Sequence, residues 1–279
     1  MGETIACANQ KGGVGKTTTV VNLATYLALA GRRVLVLDLD PQGNATSGLG
    51  LDRASIGASS YDLLADGRQV AEVVCEVGVA NLSLVPSAIA LAGAEVELAG
   101  LDQRERRLDQ ALGSVAEAYD HVIIDCPPSL GLLTINALTA ADAVLIPIQC
   151  EYYALEGLSQ LIETTDLVRD HLNPSLVIKG VLLTMYDART NLSADVAAEV
   201  RRYLGDQVYA TVVPRSVRLS EAPSYGLPIA AYRPDSRGAA AYRDVAVELL
   251  AREGIFADIP LSLAGHGLPA RDAAGQVPA

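Results

Sequence analysis

At 279 residues, half of them hydrophobic and 19% charged, the chain has the make-up of a folded protein with a sizeable core rather than a disordered one. A net charge of −12 excludes a surface coated uniformly in basic residues but leaves room for a local basic patch. The start, Met1-Gly2-Glu3-Thr4, lacks the features of a signal peptide, and no apolar run approaches membrane-spanning length.

In chain order, "TIACAN" (4–9) is predicted as a strand, followed by a glycine-rich loop and a helix over 17–30 that stops at Gly31. A second strand spans 33–40, and further strands fall at 81–86, 121–125, 143–148, 176–185 and 208–213. Helical patterns lie near 102–118, 154–172, 192–204 and 238–253. Strands apolar on both faces, alternating with helices, predict one α/β domain over 1–254: a doubly wound, mostly parallel sheet flanked by helices. Residues 255–279 are rich in Gly, Ala and Pro and read as a poorly ordered tail, with Arg271 its one strong cation, so no basic membrane helix is expected there. Cys7, Cys75, Cys126 and Cys150 show neither zinc nor Cys-x-x-Cys spacing, which fits a reducing, cytoplasmic setting with the thiols as small buried hydrophobes.

The loop "NQKGGVGKTTT" has the strand–glycine loop–helix context of a phosphate cradle, although Gln10 stands where the usual pattern has its first glycine. Backbone N–H groups from Gly13, Val14, Gly15, Lys16, Thr17 and Thr18 would surround a phosphate at a helix N-terminus, where the dipole also favours an anion. Lys16 would reach the β- and γ-phosphates of a nucleotide, and the Thr17 hydroxyl would bind Mg²⁺. Lys11 is an additional cation five places earlier. Such a cradle needs a carboxylate at a neighbouring strand end to hold the metal's water shell. "HVIIDCPPS" offers Asp125; "VLVLDLDPQGN" offers Asp38 and Asp40 on one side of a strand, facing the same crevice. Asp40, beside Pro41, is the better placed to orient an attacking water, and Asp38 to help fix the metal shell.

Together "KGGVGKTT", "DLDPQGNAT", "IIDCPPSLGLLTINAL", "PIQCEYYALEGLSQL", "LLTMYDARTNLS" and "VPRSVRLSEAPSYG" resemble the deviant Walker A ATPases, and within them the ParA chromosome-partitioning proteins of the Soj type, over residues 3–253. The resemblance implies a slow, partner-stimulated ATPase using ATP and Mg²⁺, in which two subunits clamp two ATP molecules face to face. Lys11 would then cross to the partner's triphosphate as a catalytic cation alongside Lys16 and Asp40. Gly12 would allow close approach of the two backbones. Pro214, Arg215 and Ser216 would lie near the adenine, and Glu151 with the Tyr152–Tyr153 segment near the dimer interface. It also implies a ParB-like partner, nonspecific double-stranded DNA as cargo, no membrane, and a place on the nucleoid.

Relatives with other roles fit less well. The nitrogenase iron protein needs cluster-bridging cysteines, MinD-like ATPases a C-terminal membrane helix, and arsenite-pump ATPases two fused halves. Metabolic enzymes of the dethiobiotin synthetase type lack "DARTNLS" and "VRLSEAPSYG". Between Lys179 and Arg243 nine lysines and arginines face six acids, a local +3 that leaves −15 for the remainder. Arg189 and Arg218 match positions where the Soj family carries DNA-binding arginines; Arg215, Arg233 and Arg237 are further candidates from composition. With no helix-turn-helix or zinc module, contacts would go to phosphates.

Overall fold

The computed structural model describes residues 2–113, 115, 117–151 and 154–263. β1 (Glu3–Cys7) leads through the glycine loop into α1 (Lys16–Leu29), then β2 (Val34–Asp38) and the short helices α2 (Asn44–Gly48) and α3 (Ser60–Leu64). β3 (Cys75–Glu76), β4 (Leu82–Val85), α4 (Leu91–Leu98) and α5 (Arg107–Leu112) precede β5 (His121–Asp125) and α6 (Leu132–Ala140). The second half runs β6 (Ala143–Gln149), α7 (Ala154–His171), β7 (Val177–Tyr186), α8 (Asn191–Leu204), β8 (Val208–Pro214), α9 (Val217–Glu221), α10 (Ile229–Tyr232) and α11 (Arg237–Arg252).

The strands form one sheet in the order β3-β4-β2-β5-β1-β6-β7-β8. Every pairing is parallel except β3 with β4, so the expected doubly wound, mostly parallel sheet is what forms. Period-two alternation sends neighbouring side chains to opposite cores. Ile5, Val34, Val36 and Ile123 pack with Leu23 and Leu27 of α1 and Val245 and Leu249 of α11. Ala6, Leu35, Leu37 and Ile124 pack with Leu112 of α5, Leu133 of α6, Leu161 of α7 and Val200 of α8. Each fully buried leucine in these layers contributes about 1.5–3 kcal/mol. Side-chain caps set the starts of two helices: Thr190 accepts from Ser193 N–H at α8, and Ser236 from Ala239 N–H at α11.

At the end of the sheet away from the glycine loop, a charge cluster ties α11 to the strands. Lys179 Nζ donates to Glu3 Oε2 at 2.5 Å and to Glu253 Oε1 at 2.7 Å, while His121 Nε2 meets Glu253 Oε2 at 3.0 Å. Burial alone would raise the Glu253 carboxyl, but hydrogen bonds from His121 and Lys179 outweigh it and hold the group at about 2.

Three expectations change. The helix near 102–118 shortens to a 3-10 turn at Arg104–Arg106 and α5, because the α-helical turns end at Leu112, before Gly113. Helix α6 was not anticipated: Leu133, Thr134, Asn136, Ala137, Leu138 and Thr139 are all buried, which erases the polar stripe that marks a helix in sequence. Residues 255–263, assigned to the poorly ordered tail, are laid on the core. Ile259 and Leu263 are buried, Tyr26 Oη donates to the Leu261 carbonyl at 3.0 Å, and Leu263 N–H donates to the Ala230 carbonyl at 3.2 Å. The rest of that segment, 264–279, lies outside the described residues. Of the cysteines, Cys7, Cys126 and Cys150 are buried as expected, while Cys75 on the short β3 is only half-buried.

Candidate nucleotide site and DNA face

Parallel register places the candidate residues side by side. Cys7, the last residue of β1, is level with Asp125 of β5, and Asp125 is level with Asp38 of β2. The glycine loop therefore leaves the sheet next to both carboxylates, in the crevice beyond the carboxyl ends of the strands. Within the loop, Gly13 and Gly15 adopt positive φ angles of 75° and 88°, which a side chain would oppose. Gly15 precedes the first turn of α1, leaving the N–H groups of Lys16, Thr17 and Thr18 without intrahelical acceptors and aimed outward.

Side chains from elsewhere hold this loop in place. Asn9 Nδ2 donates to the Pro147 carbonyl at 2.7 Å and its Oδ1 accepts from Lys11 N–H at 2.9 Å. Thr184 Oγ1, near the end of β7, donates to the Val14 carbonyl at 2.8 Å. Lys16 is buried, and its ammonium curls back onto the Lys11 carbonyl at 3.2 Å. Lys11 instead points to the rim, where its half-exposed ammonium meets Glu151 Oε2 of the same chain at 3.2 Å. Lys11 and Glu151, two of the residues expected at a dimer interface, are thus brought together within one chain, with Gly12 next to Lys11 in the loop; Tyr152 and Tyr153 lie outside the described residues.

The acids form a crowded, buried group. Asp38 is fully buried and accepts from Thr46 N–H at 2.8 Å, Thr46 Oγ1 at 2.7 Å and Asp40 N–H at 3.2 Å. Burial pushes its carboxyl up to about 6, and the adjacent Asp40 charge adds to the rise against those hydrogen bonds. Asp125 is fully buried, and among the described residues neither carboxylate oxygen has a hydrogen bond of full geometry, the Thr17 hydroxyl being the neighbour that opposes its rise. Burial, then the Asp38 charge, push it well up; Thr17 and Lys16 act the other way. Asp40 is buried with Oδ1 accepting from Gln42 N–H at 2.9 Å. Ser87 Oγ donates to the Asp40 carbonyl, and Ser60 Oγ to the Asp38 carbonyl, both at 2.7 Å. An orphaned buried carboxylate beside a threonine hydroxyl and two further acids is an unfavourable arrangement by itself. A hydrated divalent cation fits it, because cation-bound water supplies the missing donors and opposes the clustered charge.

Thr46, Ser60, Ser87 and Thr184 were missed in the sequence. Ser87 had the clearest signal, since it follows β4, the strand beside β2, on the side where the crevice opens.

Next to Gly15 and Thr18 opens a cavity of about 230 Å³ lined by Thr184, Met185, Pro214, Arg215 and Ser216 among others. The three residues expected near an adenine thus do flank the phosphate loop. Met185, in the left-handed region at φ 50°, is a strained contribution the sequence did not reveal. A second, larger groove of about 790 Å³ is lined by Arg189, Arg215 and Arg237 together with Asp187, Val217 and Asp244. Arg218 on α9 is not among its lining residues; it pairs with Glu221 Oε2 at 2.7 Å. Arg189 is highly exposed and pairs bidentately with Asp187 at 2.9 and 2.7 Å, holding that carboxyl well below its ordinary range.

Residues 2–178 match a family model described as an AAA domain. The sporulation initiation inhibitor protein Soj of Bacillus subtilis is 60% identical over 251 residues, spanning 90% of this chain and 99% of that one. The chromosome partitioning protein ParA of Myxococcus xanthus is 54% identical over 91% of this chain and 89% of its own. Among solved structures, cobyrinic acid a,c-diamide synthase of Mycobacterium smegmatis with bound ADP and magnesium superposes with a TM-score of 0.79 at 38% identity, covering 93% of this chain and 100% of that one. The septum site-determining protein MinD of Pyrococcus horikoshii, complexed with Mg-ADP, gives 0.76 at 26%, covering 91% and 98%.

A glycine loop between β1 and α1, facing strand-end aspartates in a doubly wound sheet, defines the class as a P-loop ATPase of the deviant Walker A kind. With relatives this similar along nearly their whole length, the chain belongs to the ParA/Soj family of chromosome-partitioning proteins.

Proposed function

We propose that the chain is an ATP-driven dimerising switch. Two copies close face to face over two ATP molecules, the pair binds double-stranded DNA without sequence preference, and hydrolysis stimulated by a ParB-like partner releases it. In that role it would reside on the nucleoid. The observation that carries this reading is the division of labour between two lysines on one loop: Lys16 is buried toward its own cradle, while Lys11 stands half-exposed at the rim.

The chain's cofactors are ATP and Mg²⁺. Thr17, Asp38 and Asp125 would hold the metal, the aspartates through water, and bound Mg²⁺ would offset part of the triphosphate charge. The N–H groups of Gly13 to Thr18 orient the phosphates, and Lys16 adds charge that strengthens as negative charge shifts toward the leaving group. Pro214 to Ser216 flank the base. Asp40, fixed by Gln42 and Ser87, orients the attacking water. For Lys11 to serve a partner's triphosphate it must leave Glu151. That exchange is inexpensive, because a solvent-exposed ion pair is worth only about 0–1 kcal/mol, against several charges on a triphosphate. Gly12 keeps the approaching surface flat.

Arg189, Arg215 and Arg237 share one groove and suit backbone phosphates, with Arg218 a separate contact beside it. Pairing doubles the patch, so two grooves on one rigid body bind DNA far more tightly than one. The same fold serves a diamide synthase at 38% identity, but the 60% identity to Soj favours partitioning over small-molecule activation. Arg189→Glu and Arg218→Glu are expected to lose DNA binding with ATP hydrolysis retained. Milder substitutions to alanine should lower the slope of log affinity against log salt by about one for each phosphate that is no longer neutralised. Unchanged affinity and salt slope in fluorescence-anisotropy titrations would place the DNA face elsewhere.

A further inference from the structure

The turn that carries Asp40 is gripped from its outer side by a residue thirteen positions downstream. Arg53 Nη2 donates to the Pro41 carbonyl at 2.9 Å and Nη1 to the Gln42 carbonyl at 2.5 Å. Among the described residues its buried Nε has no hydrogen-bond partner, and it lies close against the turn: a Cβ placed on Gly43 would come within 2.5 Å of it. Among the described residues Arg53 forms no ion pair with a carboxylate. Among those residues, the guanidinium directs both of its hydrogen bonds to this turn.

The geometry of one peptide unit gives this contact a consequence. The Pro41 carbonyl and the Gln42 N–H belong to the same planar group. Its carbonyl end accepts from Arg53, and its N–H end donates to Asp40 Oδ1 at 2.9 Å. Rotating that plane would break both bonds together. On the inner side Ser87 holds the Asp40 carbonyl, and the Gly43 N–H closes the turn onto the same carbonyl at 2.8 Å. Ser87 and Gly43 therefore fix the Asp40 backbone, whereas the direction of its carboxylate depends on the plane that Arg53 grips. Arg53 is itself carried on a 3-10 turn, Arg53–Ser55, capped by Asp52 accepting from Ala54 N–H at 3.0 Å.

We propose that Arg53 is a positioning residue for hydrolysis, aiming the Asp40 carboxylate through the peptide unit between Pro41 and Gln42. This rests on Asp40 orienting the attacking water. Arg53→Ala should lower kcat for ATP about tenfold or more, since a small misplacement of a catalytic group is costly, with KM and the affinity for a fluorescent ATP analogue within about twofold of the parent. Arg53→Lys, which can restore one of the two hydrogen bonds, should recover part of the loss. In an Asp40→Ala background, adding Arg53→Ala should slow hydrolysis no further.

Three results would overturn this. A parental kcat in Arg53→Ala alongside a slowed Asp40→Ala removes Arg53 alone. The same factor of loss in both backgrounds shows that Arg53 does not act through Asp40. Undiminished hydrolysis in Asp40→Ala removes the role of Asp40 on which the assignment rests.

Discussion

Lys16→Ala is expected to abolish tight ATP binding, and with it hydrolysis. The side chain is buried at the foot of the cradle, and its ammonium is bound to a backbone carbonyl rather than a carboxylate, so its charge is free to act on phosphate. It is also one of two groups that lower the buried Asp125 carboxyl against burial and the neighbouring acids. Removing it takes away the cation nearest the phosphates while leaving the acid group intact. A preorganised donor in such a site is worth about 10²–10³ in rate, so the loss should be at least of that order in kcat/KM. Calorimetric titration with Mg-ATP measures the binding half; affinity within a few-fold of the parent would mean that the phosphates sit elsewhere.

Gly12→Val separates binding from pairing. Gly12 is not among the glycines at positive φ, and a Cβ added there would meet nothing nearer than the Pro128 Cβ at 3.8 Å, an ordinary van der Waals contact. The chain itself therefore has room, and folding and ATP affinity should survive. What a side chain obstructs is a second backbone approaching from outside, so the ATP-dependent dimer should be lost by light scattering, and DNA binding with it. Gly15→Val makes the contrast: at φ 88° a β-branched residue is strained, by about 1–3 kcal/mol, and the cradle itself should be damaged. A normal ATP dimer in Gly12→Val would refute the close-approach reading.

The parts of the site readable in the sequence were those fixed by local pattern. A strand with a polar terminus announces where a carboxylate will stand, and Asp38 and Asp125 did end level on adjacent strands. The glycine loop was legible because backbone conformation demands particular residues at particular spacings. The supports were not legible, because Thr46, Ser87, Thr184 and Arg53 reach the loops across 8 to 170 positions of chain, and no periodicity records such contacts. Arg189 and Arg218 were visible through the family resemblance, and Arg215, Arg233 and Arg237 as composition only. The structure gathers Arg189, Arg215 and Arg237 in one groove, and pairs Arg189 and Arg218 with carboxylates that a DNA phosphate would have to displace in the proposed role. The segment past Gly254 misled because Gly/Ala/Pro content suggests disorder, while Ile259 and Leu263 supply enough apolar surface to anchor it as far as residue 263.

ATP, by building the dimer, is expected to switch on DNA binding, and the whole proposed cycle depends on that step. Equilibrium binding to a nonspecific DNA duplex, measured across a salt series with ATP, with ADP and without nucleotide, tests it most directly. The expected result is tight binding with ATP alone, falling steeply as salt rises. Equal affinity in all three nucleotide states, or none in any, would contradict it.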